Sequence, residues 1–272
     1  MKKIDLHCHS TLSDGSHTVS DIVNMAAAQG ITHMALTDHE TFRGYDYFAY
    51  LCNQVGIVPI KGCELSCVDP DTGRFVHILC YNPQNMEGLM QLTESTTARR
   101  RNAGFKMLKN VKALYPDVDE GRVLDHALES ECIYKTHIMY ELKRLGYTDK
   151  IMGDLFKELL SPRGSCFETI GYPNVYDVLP VAKASGGVVV LAHPSVYQSM
   201  DLARKLAENH MVDGIEVHHP RNREEDKAVL LELCQKYGLH VTGGTDYHGH
   251  NANDNPIGTG LAPEEILNVL LP

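Results

Sequence analysis

Fifteen histidines in 272 residues are a large supply of metal-ligating side chains, and their positions organise the reading of this chain. His7 and His9 close the first apolar run in Asp-Leu-His-Cys-His. Alternate residues of an extended chain project to the same side, so this pair can share one ion. Asp246 and His248 repeat the one-residue gap in Gly-Gly-Thr-Asp-Tyr-His. Between them, Asp14 sits in Ser-Asp-Gly, either a turn aspartate or a ligand, and Asp38-His39 ends a second apolar run. Asp38 is either a cap or a group that orients a ligating histidine. Glu64 ends a third run in Gly-Cys-Glu-Leu, where a lone carboxylate would be costly to bury and a cation would offset that cost. His77 lies inside a fourth run as a core histidine or a ligand, and His193 closes the very apolar Val-Val-Val-Leu-Ala-His-Pro. Each residue alone is a weak signal. Six histidines and three carboxylates in equivalent places together predict a multinuclear metal centre.

The equivalent place is the carboxyl end of a buried strand. Seven apolar runs, at 4–6, 31–36, 57–63, 75–79, 187–192, 214–217 and 239–242, alternate with helical patterns such as 21–29, 175–184, 200–210 and 224–237. That alternation predicts βα units around a parallel sheet, whose carboxyl ends would bring the candidate ligands to one face. Residues 85–170 break the rhythm: they are rich in Leu, Glu, Lys and Arg at helical spacing and contain no convincing strand. The expected organisation is therefore an α/β barrel from 1–84 and 171–272, with 85–170 as an inserted helical cap.

Composition narrows the partners. With 43% hydrophobic residues, 22% charged and no Trp, the chain can bury a large core. No run approaches the roughly 20 apolar residues of a membrane span, and the polar start Met-Lys-Lys-Ile-Asp is unlike a secretory signal. The eight scattered cysteines lack the paired spacing of a structural zinc site and are expected to be reduced thiols. We therefore expect a soluble cytoplasmic protein. Thirty-five acidic against 25 basic residues give a formal charge of −10, which disfavours binding along a long nucleic acid and leaves short oligonucleotides open. No sequence feature specifies an oligomeric state.

Four segments in order, Asp-Leu-His-Cys-His-Ser with Ser-Asp-Gly, Leu-Thr-Asp-His, Leu-Ala-His-Pro and Gly-Gly-Thr-Asp-Tyr-His, give the chain a resemblance to the PHP (polymerase and histidinol phosphatase) family of metal-dependent phosphoesterases. The resemblance spans nearly the whole chain, with Glu64 and His77 where the family's remaining ligands occur. It implies a distorted (β/α)7 barrel holding two to three divalent ions. Carried over by motif, His7, His9, Glu64 and Asp246 would hold one ion, Glu64, His77 and His193 a second, and Asp14, His39 and His248 a third. Glu64 would bridge the first two and, with Asp246, stand at the catalytic centre. The Asp14 version of the third site looks closest to small stand-alone members acting on nucleotides and related metabolites.

Such ions neutralise phosphate and supply an ionised water at neutral pH, so no serine or cysteine is needed as nucleophile. Imidazole and carboxylate donors suit Mn, Fe or Zn. His218, ending the sixth run in Val-His-His-Pro, is the candidate phosphate contact or general acid. Lys135 and His137 resemble cap residues of related small phosphoesterases that face the substrate. The run Arg99, Arg100 and Arg101 is mostly a solvated face from which one side chain, taken as Arg101, would reach the site, with Arg163 and Arg221 as further candidates. The expected substrate is a small phosphorylated metabolite: a nucleotide, a nucleoside bisphosphate, or a sugar-phosphate monoester or cyclic diester. The alternative is a phosphodiesterase acting on short oligonucleotides. A histidinol-phosphate phosphatase, a non-catalytic metal-binding module and a C–N hydrolase stand behind these.

Overall fold

The strand runs and helical stretches alternate along the chain as β1 (Ile4–Asp5), α1 (Val19–Ala28), β2 (His33–Leu36), α2 (Tyr45–Val55), β3 (Val58–Val68) and β4 (Phe75–Tyr81). Four helices follow, α3 (Glu87–Leu114), α4 (Glu120–His126), α5 (Lys135–Arg144) and α6 (Asp154–Leu159). The chain then resumes with α7 (Val175–Ala184), β5 (Val188–Leu191), α8 (Met200–Glu208), β6 (Gly214–His218), α9 (Glu224–Tyr237), β7 (His240–Gly243) and α10 (Leu267–Leu270). This computed structural model describes residues 2–251 and 255–271. Among the described residues, no helix is long and apolar enough to cross a membrane.

Among the described residues the seven strands form one sheet in the order β1 to β7. Its two edges meet. The Leu6 N–H donates to Gly243 O at 3.2 Å, the His9 N–H donates to Tyr247 O at 2.8 Å, and Cys8 pairs with Tyr247 as a parallel bridge. The seam needs glycine: a Cβ on Gly244 would lie 2.5 Å from the His7 nitrogen. Buried Asp5 fastens the same seam, accepting from the Thr245 hydroxyl at 2.5 Å and the Thr245 N–H at 2.9 Å. The result is a distorted (β/α)7 barrel with an added helical layer.

The sheet departs from the expected all-parallel pattern at β4, which runs antiparallel to both β3 and β5. A parallel return needs a crossover of about a dozen residues or more, whereas residues 69–74 make only a turn, tied by Thr72 Oγ1 donating to Asp69 at 2.7 Å. This reversal brings His77, near the amino end of β4, opposite Ser66 near the carboxyl end of β3. His77 therefore reaches the same end of the barrel as the closing residues of the parallel strands.

Along β4, Leu79 and Tyr81 share the inward face with His77. They join Ile4, Leu6, Ala35, Ile60, Val190 and Ala192 in a buried cluster sealed by Ile266, Leu267 and Leu270 around α10. One end of the barrel is thus filled with side chains and the other is left for polar groups. A second cluster joins the outer faces of the strands to α7, α8 and α9. Helices α3 to α6 enclose a cluster of their own, including Met107, Leu108, Val111, Val123, Ile138 and Leu142. Helix α3 straddles the two bodies, since its Leu89 belongs with the barrel residues and its Met107 with the insertion.

Candidate metal centre

Glu64 is the convergence point. Its side chain is buried within β3, four residues before the strand ends, with Oε1 at 2.8 Å from His77 Nδ1, 2.9 Å from His193 Nε2 and 3.3 Å from His7 Nε2. Oε2 lies 3.1 Å from His39 Nδ1 and 3.3 Å from His9 Nε2. Asp246 Oδ1 faces His9, His7 and His248 at 3.3, 3.4 and 3.4 Å. Asp14 Oδ1 lies 3.2 Å from His248 Nε2 and 3.7 Å from His39 Nε2. The nine residues singled out from the sequence thus meet in one place. They form overlapping groups that could each hold an ion: His7, His9, Glu64 and Asp246; His9, Asp14, His39 and His248; and His39, Glu64 and His77. His193 approaches through Glu64 and, with His7 and Glu216, makes a fourth group.

The side chains fit cations better than they fit one another. His9 Nδ1 and His193 Nδ1 are buried without a hydrogen-bond partner, and His39 Nδ1 and Asp14 Oδ1 approach Glu64 and His248 without hydrogen-bond geometry, a cost that a shared cation would remove. Burial would push the Glu64 and Asp246 carboxyls up, but the surrounding imidazoles hold both well below the usual carboxylate range, so both stay anionic. Burial pushes His193 down to about 4, leaving it neutral as ligation requires. His9 differs: burial opposes its charge, yet Asp246 and Glu64 draw it up to about 10, so an ion must displace its proton. Three non-glycine residues at strand ends here have positive φ, Glu40 at 52°, His193 at 26° and Asp246 at 52°, and such strain gathers at functional sites.

Sequence reasoning placed His218 at the site and the structure brings in His219 instead. A bulge between Glu216 and His218 inserts Val217 into β6 and reverses the inward alternation. His218 is left half-buried beside Lys227 and Glu224 of α9; burial and then the Lys227 charge lower its pKa, and Glu224 only partly opposes them. His219 is buried with Nε2 at 3.2 Å from Asp246 Oδ2, and Arg221 donates to the same oxygen at 2.7 Å. The Arg221 N–H donates to His219 Nδ1 at 3.1 Å, so the ring proton sits on Nε2, facing Asp246. Asp38 does not orient His39; it accepts from Ser10 N–H at 2.8 Å and from the Ser10 and Ser13 hydroxyls at 2.7 and 2.5 Å, pinning the loop that carries Asp14. Glu216 went unnoticed, although a lone carboxylate within Gly-Ile-Glu-Val-His was a usable signal.

A cavity of about 610 Å³ opens from Asp14, His39 and His77 towards the insertion. Lys135 lines it, with its ammonium 4.6 Å from the Phe167 ring centre, and burial, followed by Arg100, pushes its pKa down to about 8. Arg101 points elsewhere, donating to Glu131 O at 2.8 Å on the surface. Its neighbour Arg100 is the arginine in the cavity wall, buried between the Tyr134 and Tyr172 rings, paired with Glu40 and donating to Ser66 Oγ at 3.0 Å. The helical turn decides between the two: adjacent residues are about 100° apart, so only one can face the barrel. His137 is buried at the start of α5, where its Nδ1 accepts from the Tyr134 N–H at 3.2 Å, and burial lowers it to about 4. Arg163 is exposed and lies outside the cavity wall.

The family model described as PHP domain matches residues 5–162. A phosphoribosyl 1,2-cyclic phosphate 1,2-diphosphodiesterase from Eggerthella lenta is 37% identical, covering 90% of this chain and 94% of its own. A 5'-3' exoribonuclease from Haemophilus influenzae is 29% identical over 91% of this chain and 90% of its own. Among solved structures, a protein from Bifidobacterium adolescentis assigned to the metal-dependent phosphoesterases superposes with a TM-score of 0.88 at 27% identity, covering 99% of this chain and 96% of that one.

Proposed function

The chain belongs to the PHP domain family and is a metal-dependent phosphoesterase, and from that premise we propose that it hydrolyses a small phosphate ester carrying a second anionic group. The observation that carries this reading is the cavity, which has Asp14, His39 and His77 at one end and Arg100 and Lys135 on the insertion side. Arg100 Nε and Thr136 Oγ1, both in that wall, are buried without a partner, two donors free for an anion. Phe75, Phe156, Phe167 and Tyr197 supply apolar wall for the part of the substrate between its two charged groups.

We assign the scissile phosphate to the Glu64 end. His7, His9, Asp14, His39, Glu64, His77, His193, Asp246 and His248 would hold two to three divalent ions, drawn from Mn, Fe or Zn. Those ions, when bound, supply charge neutralisation and an ionised water. The protein's part is placement. Glu64 gathers five imidazoles, Asp246 is steadied by His219 and Arg221, and Arg100 and Lys135 orient the far anion. In this reading residues 85–170 are a cap domain over a barrel of 1–84 and 171–272, and the walls exclude water around the ester. All eight cysteines are buried free thiols, which accords with the cytoplasmic location we propose.

The Eggerthella relative is named for a phosphoribosyl 1,2-cyclic phosphate, a sugar that bears a phosphate besides its cyclic phosphodiester, which suits a two-anion cavity. The test is phosphate release or ring opening, with manganese present, across sugar cyclic phosphates, nucleoside 3',5'-bisphosphates, monophosphates and short RNA. Preference for a small ester with a second phosphate is expected. Turnover of oligonucleotides alone would replace this reading with that of the Haemophilus relative.

A further inference from the structure

Glu216 lies in the middle of β6 and is fully buried, where a carboxylate is costly unless both oxygens are satisfied. Both are. Oε1 lies 2.9 Å from His7 Nδ1, and Oε2 accepts the His193 N–H at 2.9 Å. An ionised carboxylate only accepts, so His7 carries a proton on Nδ1 and Nε2 is the nitrogen left to ligate. That Nε2 is the atom facing His9 Nε2 at 3.1 Å, Glu64 Oε1 at 3.3 Å and Asp246 Oδ1 at 3.4 Å. The opposite tautomer would turn an N–H into this convergence and block ligation. The second contact acts on backbone: His193 has φ 26°, a conformation unfavourable for a side-chain-bearing residue, and Glu216 holds its amide. Asn222 Nδ2 in turn donates to the Glu216 and Val217 carbonyls at 2.9 and 3.1 Å, fixing the bulge from which Glu216 projects.

We propose that Glu216 is a positioning residue that sets the His7 tautomer and anchors the His193 backbone, so that two ligands from distant strands are oriented before an ion arrives. His7, His193 and Glu216 lie close enough together to hold an ion themselves. Both Glu216 oxygens are engaged by N–H donors, which assigns it instead to the layer behind the ligands. Loss of such an outer partner typically weakens metal affinity by about 10–100-fold.

The inference rests on the metal-centre reading, and the test separates the two. Glu216→Gln keeps the volume but replaces one acceptor by an NH2 donor, which must confront either the His7 Nδ1–H or the His193 N–H. Manganese affinity and stoichiometry are measured by calorimetry on wild type and variant, alongside melting of both metal-stripped proteins. The expected result is unchanged melting of the stripped variant with an affinity lower by about 10–100-fold. Equal affinities would overturn the inference and leave the metal centre standing. A wild type that binds no manganese would overturn the metal-centre reading itself. If Glu216→Gln does not fold, nitrogen-15 NMR of zinc-loaded, histidine-labelled wild type decides: a proton on His7 Nδ1 supports the assignment, and a proton on Nε2 overturns it.

Discussion

Glu64 presents two oxygens to five imidazoles, a ratio that makes it the least replaceable side chain in the site. Glu64→Gln halves the acceptor capacity and removes the charge, so metal content and turnover should both fall by more than the roughly 10–100-fold typical of an outer partner. Elemental analysis with phosphate release checks this, and full activity would remove Glu64 from the centre. The two adjacent histidines separate cleanly. His219→Asn should lower turnover by about 10–100-fold through Asp246, while His218→Asn should leave it near wild type. Lys135 carries its charge below about pH 8, so the KM for a substrate with a second phosphate should rise as pH passes through that value. In Lys135→Met that limb should vanish, leaving a high, pH-independent KM. A wild-type KM flat from pH 7 to 9 would place the second phosphate elsewhere.

At the level of elements, the decisive connection is the one between α3 and the loop after β2. Arg100 reaches down from α3 to Glu40, which follows the candidate ligand His39 and also accepts the Ser66 N–H at 2.6 Å. This buried pair ties α3 to the two segments that carry the candidate ligands His39 and Glu64. Removing one partner of a buried pair strands the other charge, at a cost of about 3–5 kcal/mol. Arg100→Met should therefore lower unfolding free energy by about that much in a denaturant titration. Arg101→Met, on the exposed face of the same helix, should stay within about 0.5 kcal/mol. Equal effects would mean that the α3 contact is not what holds the insertion on the barrel.

For the molecule as a whole, the centre is a set of buried charges and unpaired nitrogens drawn from six of the seven strands or the segments that follow them. It spans the barrel and should be coupled to its stability. Ligand present at about 100 times its Kd adds about 2.7 kcal/mol, so stripping the protein with a chelator should lower the melting temperature and manganese should restore it. The His9 proton sets the direction with pH: His9 is drawn up to about 10, so metal must displace a proton at neutral pH and affinity should rise with pH, by about tenfold per unit for each proton released. A melting temperature indifferent to chelator would mean that the barrel does not depend on its centre. The formal charge of −10 adds a whole-molecule condition. It opposes long-range capture of a polyanion, which suits a small ester held by local cations.

Residue types and short-range pattern determined much of this protein. Runs of apolar residues named the seven strands, and the polar residues closing most of those runs named the candidate ligands, because strand ends in such a barrel share one face. His7, Glu64, His193 and Asp246 were legible for that reason. What local pattern does not encode is the direction and register of pairing. The reversal of β4 follows from a turn too short for a crossover and carries His77 to the site from the middle of its run. The bulge in β6 exchanges His219 for His218, because one inserted residue flips the side-chain alternation. Helical phase chose Arg100 over Arg101, while the pairing of β6 beside β5 gave Glu216 the His193 amide and closure of the barrel gave it His7. Chemistry was written in the residue types, while the choice of which neighbour faces inward was made only when the strands closed into a barrel.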